Sequence, residues 1–511
     1  MTTGTERILG IDLGAGSLKA TVIDAGGAVL GEGSHPVKTS NPHFGWSEQD
    51  PEGWYLAFCR AAQAALTASA VAPAQIVALG VSAGAHTNVL LDADDKVIRP
   101  AIMWNDQRSG AETEELHARA GEEIIRTSLN RVNPTWTLAQ LAWLKRHEPE
   151  AVARTKRLFL AKDYLRFRIT GDWHSDFSDA VGALMADAET QGWSEALCDL
   201  IGWPMDRLPP IAAPTDVVGR VTAQAAQDSG LIEGTPVVLG SNDTTVEFFG
   251  AGAVSPGQGA IKLATAAVVY CLTEGPAVHP PISCYPGILP GTYYTATGTN
   301  SCASAHRWLR DRFFLPYEGE ARKPGGEVFG DMDSMAAQVA PGAEGLLFHP
   351  YLLGERAPHW DPYLRARFIG MTMRHDRPHF VRALYEGIAF SVRDLLESCR
   401  SEGLDITELR IIGGGARSAI WRQIISDVIG MEILLPTNGD ASFGAALVAG
   451  VGVGLFESAE AAVTRCAQIV DRSRPDPARH EFYSKLFEIY RDAQSCLGPL
   501  DHRLHALCEG A

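Results

Sequence analysis

Glu6 to Ser34 reads ERILGIDLGAGSLKATVIDAGGAVLGEGS, and this stretch sets the fold. Ile8, Leu9 and Ile11 make a short β-rich run that stops at Asp12. A small-residue loop, Gly14-Ala15-Gly16-Ser17, leads to a second run from Leu18 to Ile23. The turn Asp24-Ala25-Gly26-Gly27 then leads to a third run through Leu30. Glycine permits tight turns and lets backbone N–H groups approach an anion with no Cβ in the way. A carboxylate at the strand end beside such a loop can hold a metal ion that bridges phosphates. Taken alone, the stretch reads first as an ordinary β-hairpin with a surface aspartate. What moves the reading toward phosphate chemistry is that the chain repeats the arrangement.

The repeat begins at the apolar run Pro236-Val237-Val238-Leu239-Gly240, which enters Ser241-Asn242-Asp243-Thr244-Thr245. That order places the Asp243 carboxylate at the carboxyl edge of a sheet, where open α/β sheets meet their ligands. Gly257 to Tyr270 then reads as strand, small-residue loop (Ala264-Thr265-Ala266-Ala267) and strand, echoing the first hairpin. We read it as the start of a second domain built on the same plan. Two phosphate-holding loops would then face one nucleotide across a cleft. A third glycine site, Gly413-Gly414-Gly415-Ala416-Arg417-Ser418, joins a buried run from Leu409 to a helix from Ala419 to Ile429. Glycines there let a flat or anionic ligand approach the backbone closely. The spacing does not fit the dinucleotide fingerprint, and no GxxxxGK[ST] loop occurs anywhere, so a P-loop NTPase is excluded. Ala441 to Gly450 reads as a small-residue helix suited to close packing near this glycine turn.

Between the two hairpins, Asp50-Pro51 is a helix start, an N-cap with proline at the first helical position. Trp54, Phe58, Ala61, Ala62 and Leu66 share one face of that helix. A buried strand through Val81 ends at Ser82-Ala83-Gly84-Ala85-His86, and a later segment ends at Trp104-Asn105-Asp106. His86, Trp104, Asn105 and Asp106 therefore sit by position where a small polar ligand is met. A sugar needs this mixture of hydroxyl-binding groups and an aromatic surface for its C–H faces. Asp176, Ser178 and Asp179 fall in a polar loop and are read first as caps of the next helix. The stretch Leu315 to Asp333 reads as an exposed connection, and the tail from Pro475 as a helix that packs back.

Composition sets limits on partners. At 511 residues the chain exceeds a single core, and 46% apolar content supports two sizeable ones. A formal charge of −17 argues against nucleic acid or an anionic membrane surface. An ATP site remains allowed, because backbone amides and magnesium neutralise a few phosphates locally. Nine cysteines with no CxxC pair read as reduced thiols in a cytoplasm. MTTGTERIL lacks the regions of a signal peptide, and the apolar run Ala445 to Phe456 is too short to span a bilayer.

In this order, several motifs together resemble the FGGY family of carbohydrate kinases. They are IDLGAGSLK, GWSEQDPEGW, LLDADDKVIRPAIMWNDQR, KDYLRFRITGDWHSDFSDAVG, GSNDTT, LLGERAPHWDP with FIGMT, and IIGGGARSAIWRQ. Within that family the likeness is greatest to members acting on xylulose. The resemblance implies an α/β fold of two actin-like (ribonuclease H-like) ATPase domains flanking a cleft, with ATP and a sugar meeting there. It implies domains at 1–252 (sugar site, first phosphate loop, catalytic aspartate) and 253–511 (second phosphate loop, adenosine-binding turn), with the C-terminal helical tail packing back on the first.

The resemblance also implies roles. Asp243 is the catalytic base, and Asp12, with Asp243, lies near Mg2+ and the γ-phosphate. His86, Trp104, Asn105, Asp106, Asp243 and Thr244 line the sugar. Gly14, Gly16, Ser17, Lys19 and Thr265 serve the phosphates, and Gly414, Gly415, Ala416 and Ser418 the adenosine turn. The implied reaction is ATP-dependent phosphorylation of the terminal hydroxyl of a ketopentose, D-xylulose first, with ribulose, erythritol or a glycerol-like polyol as alternatives. A non-catalytic sugar sensor is the alternative of another class. The family commonly shows Gly-Thr-Ser in the first loop, Gly-Thr-Ser-Gly in the second and Gln-Met before the histidine. Here those sites read Gly14-Ala15-Gly16-Ser17, Ala264-Thr265-Ala266-Ala267 and Gly84-Ala85, and the last bears on sugar identity. Family members often pair as homodimers.

Overall fold

The computed structural model describes residues 5–314 and 325–509. Its chain divides into two compact units. One comprises Met1–Pro256, Leu272–Thr295 and Asn438–Gln468, and the other Gly257–Cys271, Ala296–Thr437 and Ile469–Ala511. The chain thus crosses between units several times, where the sequence alone offered a single boundary near residue 252.

The first unit is built on strands β1 (Arg7–Leu13), β2 (Ser17–Asp24), β3 (Val29–Pro36), β4 (Ile76–Ala83), β5 (Val217–Arg220) and β6 (Pro236–Val238), ordered β5-β6-β4-β1-β2-β3. β1 pairs antiparallel with β2 and parallel with β4, while β6 is parallel to β4 and β5 antiparallel to β6. Helix α1 (Pro51–Ser69) starts as its sequence demands. Asp50 caps it by accepting from Glu52 N, Pro51 opens it, and Trp54, Phe58, Ala61, Ala62 and Leu66 are buried. A second helix, α2 (Asp243–Gly250), follows β6 and is capped by Asn242, which accepts from Thr245 N.

The small-residue helix Ala441–Gly452 belongs to this first unit, whereas the glycine turn Gly413–Ser418 belongs to the second. It is packed against β1, β4 and α2 at backbone range. A Cβ on Gly10 would lie 1.8 Å from Ser442 O, and one on Gly444 would lie 1.9 Å from Val246 O. The helix, the sheet and α2 share one apolar cluster that includes Ile8, Val238, Val246, Phe249 and Phe443. Small residues are used here to bring a helix down onto two strands and a neighbouring helix.

The second unit repeats the plan. Its strands β7 (Gln258–Leu263), β8 (Ala267–Glu274), β9 (Glu408–Ile412), β10 (Ile433–Pro436) and β11 (Ile469–Ser473) lie in the order β8-β7-β9-β10-β11. The pairings are again antiparallel at the hairpin, parallel twice, then antiparallel. That is the sense of β2-β1-β4-β6-β5, so the echo heard in the sequence is a repeat of topology.

The C-terminal helix Pro477–Glu509 packs within the second unit, which corrects the expectation that it returns to the first. Tyr483 OH accepts from Arg382 Nη2 at 2.6 Å and donates to Glu386 at 2.7 Å, and Tyr490 stacks on His349. Its apolar residues find their partners on the helix Arg377–Ser401 and the strand Leu347–His349. Of the stretch 315–333, residues 315–324 lie outside the described residues. The remainder begins a helix, Gly325–Gln338, rather than an open connection. No helix among the described residues is long and apolar enough to cross a membrane.

Candidate active site

Strand register gathers acids in the first unit. Asp12, next to last in β1, pairs across to Lys19 on β2 and to Ser82 on β4. The Ser82 hydroxyl donates to Asp12 Oδ1 at 2.9 Å. Burial, then the charge of Asp243, push the Asp12 carboxyl up to about 8, with smaller pushes from Glu247 and Asp440. Three further carboxylates, Asp243 and Glu247 on α2 and the helix cap Asp440, therefore act on Asp12.

Asp243 is the first residue of α2. Its Oδ1 accepts from Thr244 N at 2.7 Å and lies 3.3 Å from Thr244 Oγ1. Its other oxygen borders a small space kept by Gly84. A Cβ there would stand 3.9 Å from Asp243 Oδ2, 3.3 Å from Trp104 Cδ1 and 3.6 Å from Trp104 Nε1. Trp104 is 44% exposed, so its indole forms an open wall beside the carboxylate.

His86 stands on the residue after Ala85 with φ 71°, a left-handed backbone that non-glycine residues rarely adopt. Its Nδ1 donates to the Gly182 carbonyl at 2.6 Å, and Tyr285 OH lies 3.3 Å from its Nε2. Trp136 stacks on the ring at 4.2 Å. Burial lowers the imidazole to about 4, so it is neutral at physiological pH. Tyr285 also feels Asp243: burial first, then that charge, hold its phenol well above the ordinary range. Tyr285 and Trp136 thus complete a wall that the sequence reading missed. They come from distant segments with no motif to mark them.

Other expected residues are differently committed. Asn105 is exposed. Asp106, expected in the sugar pocket, is instead fully buried. It accepts from Ser47 N at 2.6 Å and pairs with Arg108 at 2.8 Å, because its side chain turns into the loop it stabilises. Lys19 is held between Glu32 at 2.7 Å and Asp440 at 2.8 Å. Asp440, unnoticed in the sequence, caps the small-residue helix by accepting from Phe443 N at 2.9 Å. Gly14, Gly16 and Ser17 form the β1–β2 turn, with Gly14 N donating to Ser17 O. Gln49 Nε2 fixes that turn by donating to Ala15 O at 2.7 Å, a tie the sequence did not show.

Behind α2 lies a buried ionic knot. Lys162 Nζ stands 2.5 Å from Asp163, 3.1 Å from Asp176 and 3.3 Å from Asp179. Burial alone would lower this lysine, yet the three acids outweigh it and hold it well above the usual range. Burial and the Asp176 charge push Asp179 up. Asp176 also does what the sequence reading gave it, capping Phe177–Gly182. The knot reaches the segment that leads into Asp243 directly: Ser241 Oγ donates to Asp176 at 2.7 Å and Asn242 Nδ2 to Ser178 Oγ at 3.0 Å.

In the second unit, Thr265 is exposed in the turn between β7 and β8. Its carbonyl accepts from Cys302 N at 3.0 Å and from the Ser304 hydroxyl at 2.8 Å. Beyond the adjacent strand β9, Gly413 has φ 87°, and a Cβ on it would meet Leu263 O at 2.7 Å. The two loops therefore lie side by side at one end of β7 and β9. Gly414 is open, Gly415 is packed on Leu263 and Trp421, and Ala416 is buried. Ser418 caps the helix Ala419–Ile429 and donates to Asp333 at 2.9 Å, so its hydroxyl is occupied.

Residues 7–250 match the N-terminal domain model of the FGGY family of carbohydrate kinases, and residues 259–453 match its C-terminal domain model. The chain is 32% identical over 513 residues to a xylulose kinase of Lactococcus lactis, covering 97% of this chain and 98% of that one. It is 28% identical to a gluconokinase of Bacillus subtilis, over 89% and 90% of the two chains. The crystal structure of a xylulose kinase from Rhodospirillum rubrum superposes with a TM-score of 0.87 at 28% identity, over 97% of this chain and all of that one.

Proposed function

This chain belongs to the FGGY family of carbohydrate kinases and is a sugar kinase; from that premise we propose that it transfers the γ-phosphoryl group of ATP to the terminal primary hydroxyl of a ketopentose, D-xylulose before others. The observation that carries the reading is the meeting of Asp243, Trp104 and Gly84 beside Asp12. A carboxylate there can accept a hydroxyl proton while an indole covers the C–H face of the sugar.

Phosphoryl transfer passes through a loose transition state, so positioning and charge neutralisation do most of the work. Asp243 is well placed for this. The Asn242 cap fixes the start of α2, and Thr244 N holds one carboxylate oxygen while the other borders the Gly84 space. In a loose transition state the proton can move late, so the base needs no raised pKa. His86 is a neutral polar wall rather than an acid, its orientation set by Gly182 and Tyr285.

The acids around Asp12 fit a divalent cation, because the burial and repulsion that push its carboxyl up are relieved by positive charge. Among the described residues no three acid, imidazole or thiol side chains converge as a ligand set. That suits magnesium, which keeps waters and is held by one or two carboxylates together with substrate phosphates. Asp12, with Asp243 nearby, would hold it, and the ion would supply charge neutralisation on the phosphates. None of the nine cysteines is joined in a disulfide among the described residues, which supports a reducing cytoplasm as the working compartment.

Gly84 and Ala85 favour a second acceptor reading. Gly84, beside Trp104, and Ala85 carry less bulk than the Gln-Met common in the family, which leaves room for another polyol or sugar acid, and a gluconokinase is among the relatives. A coupled assay of ADP release over D-xylulose, D-ribulose, erythritol, glycerol and gluconate tests both readings. The highest kcat/KM is expected for D-xylulose. A higher value for another acceptor replaces the substrate, and no sugar-dependent ADP with any of them overturns the proposed reaction.

A further inference from the structure

The helix α3 (Ala303–Leu309) follows the second small-residue turn in space and clamps it. Ala303 N donates to Ala264 O at 2.8 Å, and Cys302 N, Ser304 N and Ser304 Oγ all converge on Thr265 O. Arg307 stands three residues past Ser304, on the same helical face. Its Nη2 donates to Thr265 Oγ1 at 3.1 Å, and the side chain is exposed.

Among the described residues no carboxylate lies within ion-pair distance of Arg307. Its neighbour Arg310, by contrast, is paired with Asp311 at 2.7 Å. A guanidinium carries five N–H donors in a planar fork that matches phosphate oxygens. Arg307 commits one of them to a neutral hydroxyl and holds the rest beside the turn. The turn itself, Ala264-Thr265-Ala266-Ala267, offers a single side-chain hydroxyl and no charge.

We propose that Arg307 is a phosphate-binding residue of the second loop: one N–H on Thr265 fixes the guanidinium, and the remaining donors take the β/γ end of the nucleotide polyphosphate. The inference rests on the reading of Ala264–Ala267 as a phosphate loop. It supplies the cationic contact that the loop's own residues lack.

Titration calorimetry of the full chain with ATP, ADP and AMP tests it, using wild type, Arg307→Ala and Arg307→Lys. A charge-assisted hydrogen bond of about 1.5–3 kcal/mol corresponds to a loss of roughly 10- to 150-fold. Arg307→Ala should weaken ATP and ADP by that factor and leave AMP within about twofold, with Arg307→Lys recovering part of the loss. ATP and ADP affinities of Arg307→Ala within about threefold of wild type would overturn the proposal. So would an equal loss for AMP, which would make Arg307 a prop of the loop. If wild type itself binds no ATP, the phosphate-loop reading falls and this inference falls with it.

Discussion

At the scale of single residues, the side chains that matter most behind α2 are ones whose charge is hidden. Lys162 is 1% exposed and Arg166 fully buried, yet in the sequence both sit in an ordinary-looking helical stretch, KDYLRFRIT. Breaking one partner of a buried ionic group leaves uncompensated charge, at a cost of about 3–5 kcal/mol. Lys162→Met should therefore lower unfolding free energy by about that much in urea titration, because three buried acids lose their cation. A loss under about 1 kcal/mol would show that those acids are protonated or hydrated without it. Asp12, Asp243, His86 and Trp104 could be named as candidates because each follows an apolar run at a strand edge. The inward turn of Asp106 onto Ser47 and Arg108 was not legible, because a strand end says where a residue is, not which way its side chain turns. Tyr285 and Trp136 carried no local signal at all, since their partner His86 is far away in the chain.

At the scale of elements, the closest packing is that of the small-residue helix Ala441–Gly452 on β1, β4 and α2. Its composition announced tight packing, but composition does not name the surface packed against, here β1, β4 and α2. Two glycine substitutions separate the cases. Gly444→Ala places a Cβ 1.9 Å from the Val246 carbonyl, so backbone must move. Overpacking of that kind costs about 1–3 kcal/mol and pushes directly on α2, where Asp243 begins. Gly53→Ala, within α1, meets nothing within 4 Å and should gain about 0.5–1 kcal/mol of helix propensity. Thermal unfolding should show the first variant below wild type and the second at or above it. The reverse order would contradict the packing. The repeated order of strands was legible from the two hairpins alone, whereas the crossings of the chain between units were not, because nothing local marks residues 272–295 or 438–468 as belonging with the first unit.

At the scale of the whole molecule, folding stability should weaken in acid through buried imidazoles. Burial holds His86, His306 and His349 near 4, while an unfolded histidine takes its proton near 6.5. Their contribution is complete above about pH 6.5 and is lost as pH falls toward 4, because the unfolded chain then binds the extra protons. Glu355, pushed up by burial to about 7, has the opposite sign: it costs stability as pH rises from about 4.5 to 7. The imidazole share is isolated by His349→Gln, which can keep a donor to the Tyr490 carbonyl. Its stability deficit against wild type should shrink by about 1.4 kcal/mol per pH unit between pH 6.5 and 4.5. A deficit independent of pH would show that His349 is not held neutral. The same two-unit molecule is read here as a machine for moving one phosphoryl group, and that reading stands on Asp243. Its most direct test is Asp243→Ala, assayed for sugar-dependent ADP release and, separately, for sugar affinity by calorimetry. Turnover should fall on the order of 10²- to 10⁴-fold with sugar binding little changed, and near-wild-type turnover in that variant would remove Asp243 from the base role.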